Sequence, residues 1–379
     1  MNGFRHSPLV ARHRSKSPMK KTSFAILLAL AALALAACGT APAQSWSGVA
    51  ISADAATVYV TRSTHLYALN TRASGQTLWQ FPPDNDNNIG PFYADPALAG
   101  DTLIITSYNK SVYALDANSG AQKWAFAQSK DRYIAPAAVF GDTVYAASAD
   151  NTLYALDLAS GNLKWTFDKA TAGLWGAALP AEDKVFVPSM DHNLYAVDAA
   201  TGNQLWAVTL NGALAGAPAL GDGVIYVGSL NDTLYALDMA DGSEQWTVKA
   251  DGWVWGTPLV VGETLYFGDL AGNVYSVDAL SGGIHWKSQV GGAVRGAPSL
   301  SGDTLIVPVD DVSNGIVVAL NAADGSTRWQ KIIDERNADR MLANPVIAND
   351  AALIVPMNAE KLIYALSLGG GAELWAVKP

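Results

Sequence analysis

Eight tryptophans recur along the chain at intervals of 40 to 46 residues, and four residues ahead of each stands a glycine. The pairs are Gly75 and Trp79, Gly120 and Trp124, Gly161 and Trp165, Gly202 and Trp206, Gly242 and Trp246, Gly282 and Trp286, Gly325 and Trp329, and Gly371 and Trp375. A repeat of this length is one supersecondary unit that cannot bury its hydrophobic face alone, so the copies must stack on one another. Each copy reads as four short strands. In the fifth these are Gly216 to Leu220, Val224 to Gly228, Leu234 to Leu237 and Gln245 to Val248, with a Gly-Asp-Gly hairpin turn between the first two. The third strand does not alternate polar with apolar residues, so both of its faces must be covered. Four-stranded sheets packed radially, each between two neighbours, meet that demand. The expected fold is all-β: an eight-bladed β-propeller over residues 46–379, with four antiparallel strands per blade.

Turn chemistry points the same way. Asp116, Asp157, Asp198, Asp238 and Asp278 stand just before the turn joining the third and fourth strands, with Asn70, Asn321 and Ser367 in their place in units one, seven and eight. A side-chain oxygen there accepts hydrogen bonds from the turn, and the glycine that follows supplies a positive φ. Each repeat tryptophan is then a structural docking residue, its ring laid against the neighbouring blade.

Asp116 to Trp124 and Asp198 to Trp206 both read Asp-Ala-x-Ser/Thr-Gly-x-x-x-Trp. This resembles the tryptophan-docking repeat of quinoprotein-like (PQQ-repeat) β-propellers, and the likeness extends over the chain beyond its leader. The repeat specifies the fold and not the function. It builds quinone-dependent alcohol dehydrogenases and also the BamB-type lipoproteins, which are non-enzymatic scaffolds of outer-membrane barrel assembly. No Gly-His…Trp-Asp pair or double-glycine kelch signature recurs.

The leader is equally legible. Phe24 to Ala34 is an apolar run of eleven residues behind the basic pair Lys20 and Lys21, too short to span a bilayer, which takes about 20, and in keeping with a secretory signal. It ends in Leu35-Ala36-Ala37-Cys38-Gly39, which resembles a bacterial lipobox. Residues 1–37 are therefore expected to be a lipoprotein signal peptide, with Met19 as the working start. Cys38 is the expected lipidated first mature residue, and 38–45 a tether. Removing 1–37 takes away six basic residues and no acid, leaving 18 Lys+Arg against 34 Asp+Glu, a net charge of −16. Acyl chains rather than the protein surface would then hold the molecule on a membrane. Gly39 in place of Asp, by enterobacterial sorting rules, directs it to the periplasmic face of an outer membrane.

Chemistry is sparse. A dehydrogenase of the resembling family needs calcium held by Glu and Asn, an Asp base and a vicinal cysteine pair, and this chain has one Cys. His65, His192 and His285 fall at unrelated places in their repeats, which gives no metal cluster and no acid/base pair. Neither a Gly-x-Ser-x-Gly elbow nor a phosphate loop occurs. The acidic balance argues against nucleic acid, whose phosphates call for a basic face. No catalytic residue, no metal and no cofactor is expected, and the protein reads as a monomeric ring.

A binding face can still be proposed. Aligning the units on the Gly/Ala-x-Pro that opens each first strand places Tyr93, Ile134, Trp175, Ala215, Trp255, Arg295 and Leu342 at one position in units two to eight, with Trp46 at that position in unit one. Phe92, Tyr133, Trp253 and Met341 lie close by. Together they form an apolar ring around one mouth of the channel, either an interaction site or a plug. Alternation across Trp253-Val254-Trp255 sends both indoles to one side, and Arg295 is the ring's one cation, suited to a carboxylate or carbonyl ligand. On the opposite face an acid stands in all eight first hairpin turns, Asp54, Asp101, Asp142, Asp183, Asp222, Glu263, Asp303 and Asp350, implying a negative field. The charged stretch Lys331 to Arg340 reads as a solvated insertion or a partner-contact loop.

Two functions fit. One is a lipid-anchored binding scaffold for a protein partner, such as a membrane β-barrel assembly component. The other is a small-ligand protein taking a quinone or a saccharide at the mouth, with pyrroloquinoline quinone and calcium as cofactors if it is an oxidoreductase.

Overall fold

The computed structural model describes residues 47–86, 88–311, 314–333, 343–357 and 360–379. The signal peptide, Met19, Cys38, the tether, Trp46, Met341, Leu342 and residues 334–340 of the charged stretch lie outside the described residues.

Those described form eight four-stranded antiparallel sheets, each built from four consecutive strands. The fifth blade comprises Ala219–Gly221, Val224–Ser229, Thr233–Asp238 and Glu244–Lys249. Its first hairpin turns on Asp222 and Gly223, whose φ angles of 46° and 77° are both left-handed. A two-residue loop of that kind matches the twist of the strands it joins.

Only the first strand departs from expectation. It begins at Ala219 rather than Gly216, because Pro218 has no N–H for the ladder and Gly216 is pressed against the backbone of the next blade. A Cβ on Gly216 would collide with the Trp255 carbonyl oxygen. The segment leading into the sheet is thus a contact between blades.

Burial follows radius. First strands of neighbouring blades approach each other, which puts them at the axis. Second and third strands are almost wholly buried, and fourth strands carry the exposed residues, as the pattern in Glu244–Lys249 shows. Apolar packing falls into eight clusters, one per blade interface, such as Tyr226, Val254, Phe267 and Tyr275 between blades five and six.

The repeat tryptophans dock as their spacing implies. A Cβ added at Gly120 would lie 2.5 Å from the Trp79 ring and one at Gly202 2.7 Å from Trp165, so each motif glycine seats the tryptophan of the preceding blade. Indole N–H groups of Trp79, Trp124, Trp165, Trp246, Trp286 and Trp329 donate to a carbonyl of the following blade, at 2.7–3.2 Å. Trp206 is an exception, its buried N–H lacking a partner. The turn acids behave likewise: Asp116 accepts from the Asn118 and Ser119 N–H groups and the Ser119 hydroxyl, which hold its carboxyl below the usual range.

The ring closes without an exchanged strand, since the first and last sheets each contain four strands of their own. Side chains join them. Val58, Val60 and Leu69 pack on Leu353, Ile363 and Trp375, Arg62 Nη1 donates to the Lys361 carbonyl at 2.8 Å, and Asn349 Nδ2 to the Ala55 carbonyl at 3.0 Å.

Candidate functional site at the propeller axis

In blades two to seven the first strand is reached through a lead-in segment clamped between two hairpins. In blade six the Val254 N–H donates to the Ser229 carbonyl of blade five, and the Leu270 N–H of its own hairpin donates to the Trp253 carbonyl. Beyond this clamp the chain runs along the axis with a small residue, such as Gly176 or Gly216, held against the next blade's backbone. The residues on either side of that small one line the axis.

The outcome is a cavity of about 130 Å³ with two layers of lining. The rim carries Tyr93, Ile134, Trp175, Ala215, Trp255 and Arg295, and the layer beneath carries Asp95, Pro136, Ala177, Ala217, Thr257 and Asn344. These six rim residues are among those that alignment of the units places at one position, and Ser47 also lines the cavity.

Three expectations need correction. Trp253 does not line the cavity and is 47% exposed elsewhere. Residues 253–256 belong to no strand, so strict alternation is not imposed, and the clamp at Trp253 and Val254 sets the direction instead. Phe92 and Tyr133 are fully buried in the clusters between blades one and two and between two and three. Arg295 is already engaged: its Nε lies 3.0 Å from Asp310 Oδ2, a carboxylate whose side chain is 8% exposed, and its guanidinium sits 5.9 Å from the Trp255 ring centre.

Asp95 escaped the sequence reading. Its Oδ1 accepts from the Val49 N–H at 2.8 Å and its Oδ2 from Asn344 Nδ2 at 3.1 Å, while Asn344 Oδ1 accepts from the Ala297 N–H at 2.7 Å. Blades two, one, eight and seven are linked by this chain across the seam. Burial pushes the Asp95 carboxyl up to about 6, against the pull of those two donors. Its signal in the sequence was a departure from the pattern, an acid where other units have Pro136, Ala177, Ala217 or Ala297.

A second unread set holds the rim in place. The hydroxyls of Tyr154 and Tyr195 donate to Asp150 and Asp191, which also accept the N–H groups of Lys130 and Thr171 from lead-in segments. Burial and the adjacent carboxylates raise both tyrosines to about 12. Tyr93 stacks on Tyr108, ring centres 3.7 Å apart, with Arg132 over the far ring.

On the opposite face the negative field is weaker than the acid count implies. Asp54, Asp101, Asp142, Asp183 and Asp303 pair with Arg72, Lys123, Lys164, Lys184 and Arg328. Among the described residues no three His, Cys, Asp or Glu side chains converge as metal ligands.

The family model for outer membrane protein assembly factor BamB matches residues 62–206 and 190–379. The chain belongs to the BamB family. No curated protein matches it. BamB from Moraxella catarrhalis is 20% identical, with a TM-score of 0.66 over 86% of this chain and 97% of that one. The computationally designed Ika8 protein is 13% identical, with a TM-score of 0.71 over 88% and 97%. A designed protein sharing this ring as closely as a BamB does shows that the shape alone assigns no role.

Proposed function

We propose that the protein is a non-catalytic binding scaffold in outer-membrane protein assembly, anchored by lipid on Cys38 at the periplasmic face of an outer membrane and offering its axial mouth to a protein partner. The BamB family match over both halves of the ring carries this reading. Three aromatic rim residues, Tyr93, Trp175 and Trp255, give the mouth the character of an interface centre. Pyrroloquinoline quinone with calcium fits these residues poorly. The quinone's carboxylates call for cationic partners, and Arg295 is turned to Asp310.

In-cell photocrosslinking from position 255 tests the role of the mouth. Capture of a membrane β-barrel or of its assembly machinery is the expected result, and an empty lane with the probe incorporated counts against it. Cys38→Ser should release the protein from membranes and reduce that capture. Release with capture and envelope integrity unchanged would remove the anchor from the function.

A further inference from the structure

The axial cavity has a chemistry of its own that the scaffold reading does not use. Its rim is aromatic, with Tyr93, Trp175 and Trp255 around the opening. Its lower layer is apolar except for Asp95, Asn344 and Thr257. Among the described lining residues the one cation, Arg295, is paired with Asp310 at 3.0 Å, and Asp95 is the charge left without a counter-charge among them. Each of its oxygens accepts one hydrogen bond, from Val49 or Asn344, and a carboxylate has about four acceptor sites in all. It is half-buried and lines a space of about 130 Å³.

A carboxylate beneath a ring of aromatic faces selects for a cation, because ring quadrupoles attract positive charge and a desolvated ion pair with hydrogen bonds is far stronger than an exposed one. The volume restricts the cation to something slim. An ammonium head with its three donors can reach Asp95 and Thr257 while a methylene stem lies among the rim indoles, whereas a broader planar guanidinium would have to pass Arg295 at the rim. We propose that the axial cavity is a site for a primary alkylammonium group, with Asp95 as its counter-ion and Trp175 and Trp255 flanking its stem. Such a group is either a lysine side chain of a docked protein or a free small amine. The site stands whether or not the protein serves as an assembly scaffold.

The test titrates the purified soluble ring with n-butylammonium, 1,5-diaminopentane and Nα-acetyl-lysine methylamide, following tryptophan fluorescence and calorimetric heat. The neutral isostere n-butanol is the control. Saturable binding of an amine, at least tenfold tighter than the alcohol, is expected, with at least a tenfold loss in Asp95→Asn and none in Trp253→Ala, outside the cavity. Acetyl-lysine methylamide binding as well as butylammonium assigns the site to a protein lysine, and binding confined to the diamine assigns it to a free amine. Equal binding of the alcohol, no saturable binding of any amine, or full affinity in Asp95→Asn overturns the proposal. Because Asp95 also ties the seam, the comparison of amine with alcohol in the unaltered protein decides even if the variant fails to fold.

Discussion

Asp95 is the residue whose behaviour is easiest to isolate. A carboxyl raised from 3.8 to about 6 in the folded protein holds its proton more tightly than the unfolded chain does. Between pH 4 and 6 the unfolded state therefore carries fewer protons at this site, and stability falls as pH rises through that window and is level above it. The full effect is about 3 kcal/mol, at 1.36 kcal/mol per pKa unit. Tyr93, the titratable ring at the same rim, is raised further from this window by burial. Urea unfolding of the protein and of Asp95→Asn at pH 4, 6 and 8 should show the variant gaining on the parent by about that amount as pH rises. A difference independent of pH would mean that the carboxyl is not raised.

At the scale of the element, the lead-in segment decides the diameter of the axis. Gly216 has no side chain to separate its backbone from the Trp255 carbonyl oxygen, and the neighbouring blades crowd Gly176 and Gly256 in the same way. Gly216→Ala should cost about 1–3 kcal/mol, the usual effect of overpacking. Gly369→Ala, where a Cβ meets nothing within 4 Å, should stay within about 0.5 kcal/mol. Equal melting temperatures for the two variants would show that the axis can widen without loss. These segments also mark where sequence reading stopped working. The second, third and fourth strands were legible because hydrophobic pattern and turn residues both repeat in them. Gly216 to Pro218 looked like strand, yet its pairing goes to no ladder, because proline lacks the N–H and glycine invites the next blade. Trp253 was misplaced for the same reason, since alternation holds only where a ladder enforces it. Tyr93, Trp175, Trp255 and Arg295 were legible because alignment of the units finds positions they share. Asp95 was not, because a comparison that looks for what the units have in common passes over the one that differs.

In the whole molecule the eight blade interfaces are alike in chemistry and unlike in connectivity. Seven are crossed by the chain, and among the described residues the interface between the last blade and the first is held through side chains, the Val58, Leu69, Ile363 and Trp375 cluster and the Arg62 and Asn349 hydrogen bonds, with the Asp95 to Asn344 link tying blade two to blade eight across it at the axis. In a ring of repeats, stability is close to a sum of unit and nearest-neighbour contributions, and a terminal unit that opens loses one interface only. Opening at the seam separates no covalently joined neighbours and leaves the other blades stacked, so it is the cheapest partial unfolding open to the ring. Amides of the third strands flanking the seam, His65–Asn70 and Ile363–Ser367, should then exchange through an opening of lower free energy than those of Asn193–Asp198 in the fourth blade. Native-state hydrogen exchange at rising denaturant resolves the two classes. Ile363→Ala, at a side chain with no exposed surface, should widen the gap by the 2–5 kcal/mol typical of a buried truncation, acting first on blades one and eight. One common opening energy for all three strands, unchanged in its uniformity by Ile363→Ala, would mean that the ring unfolds as a single unit and that closure by side chains is as strong as closure through the chain.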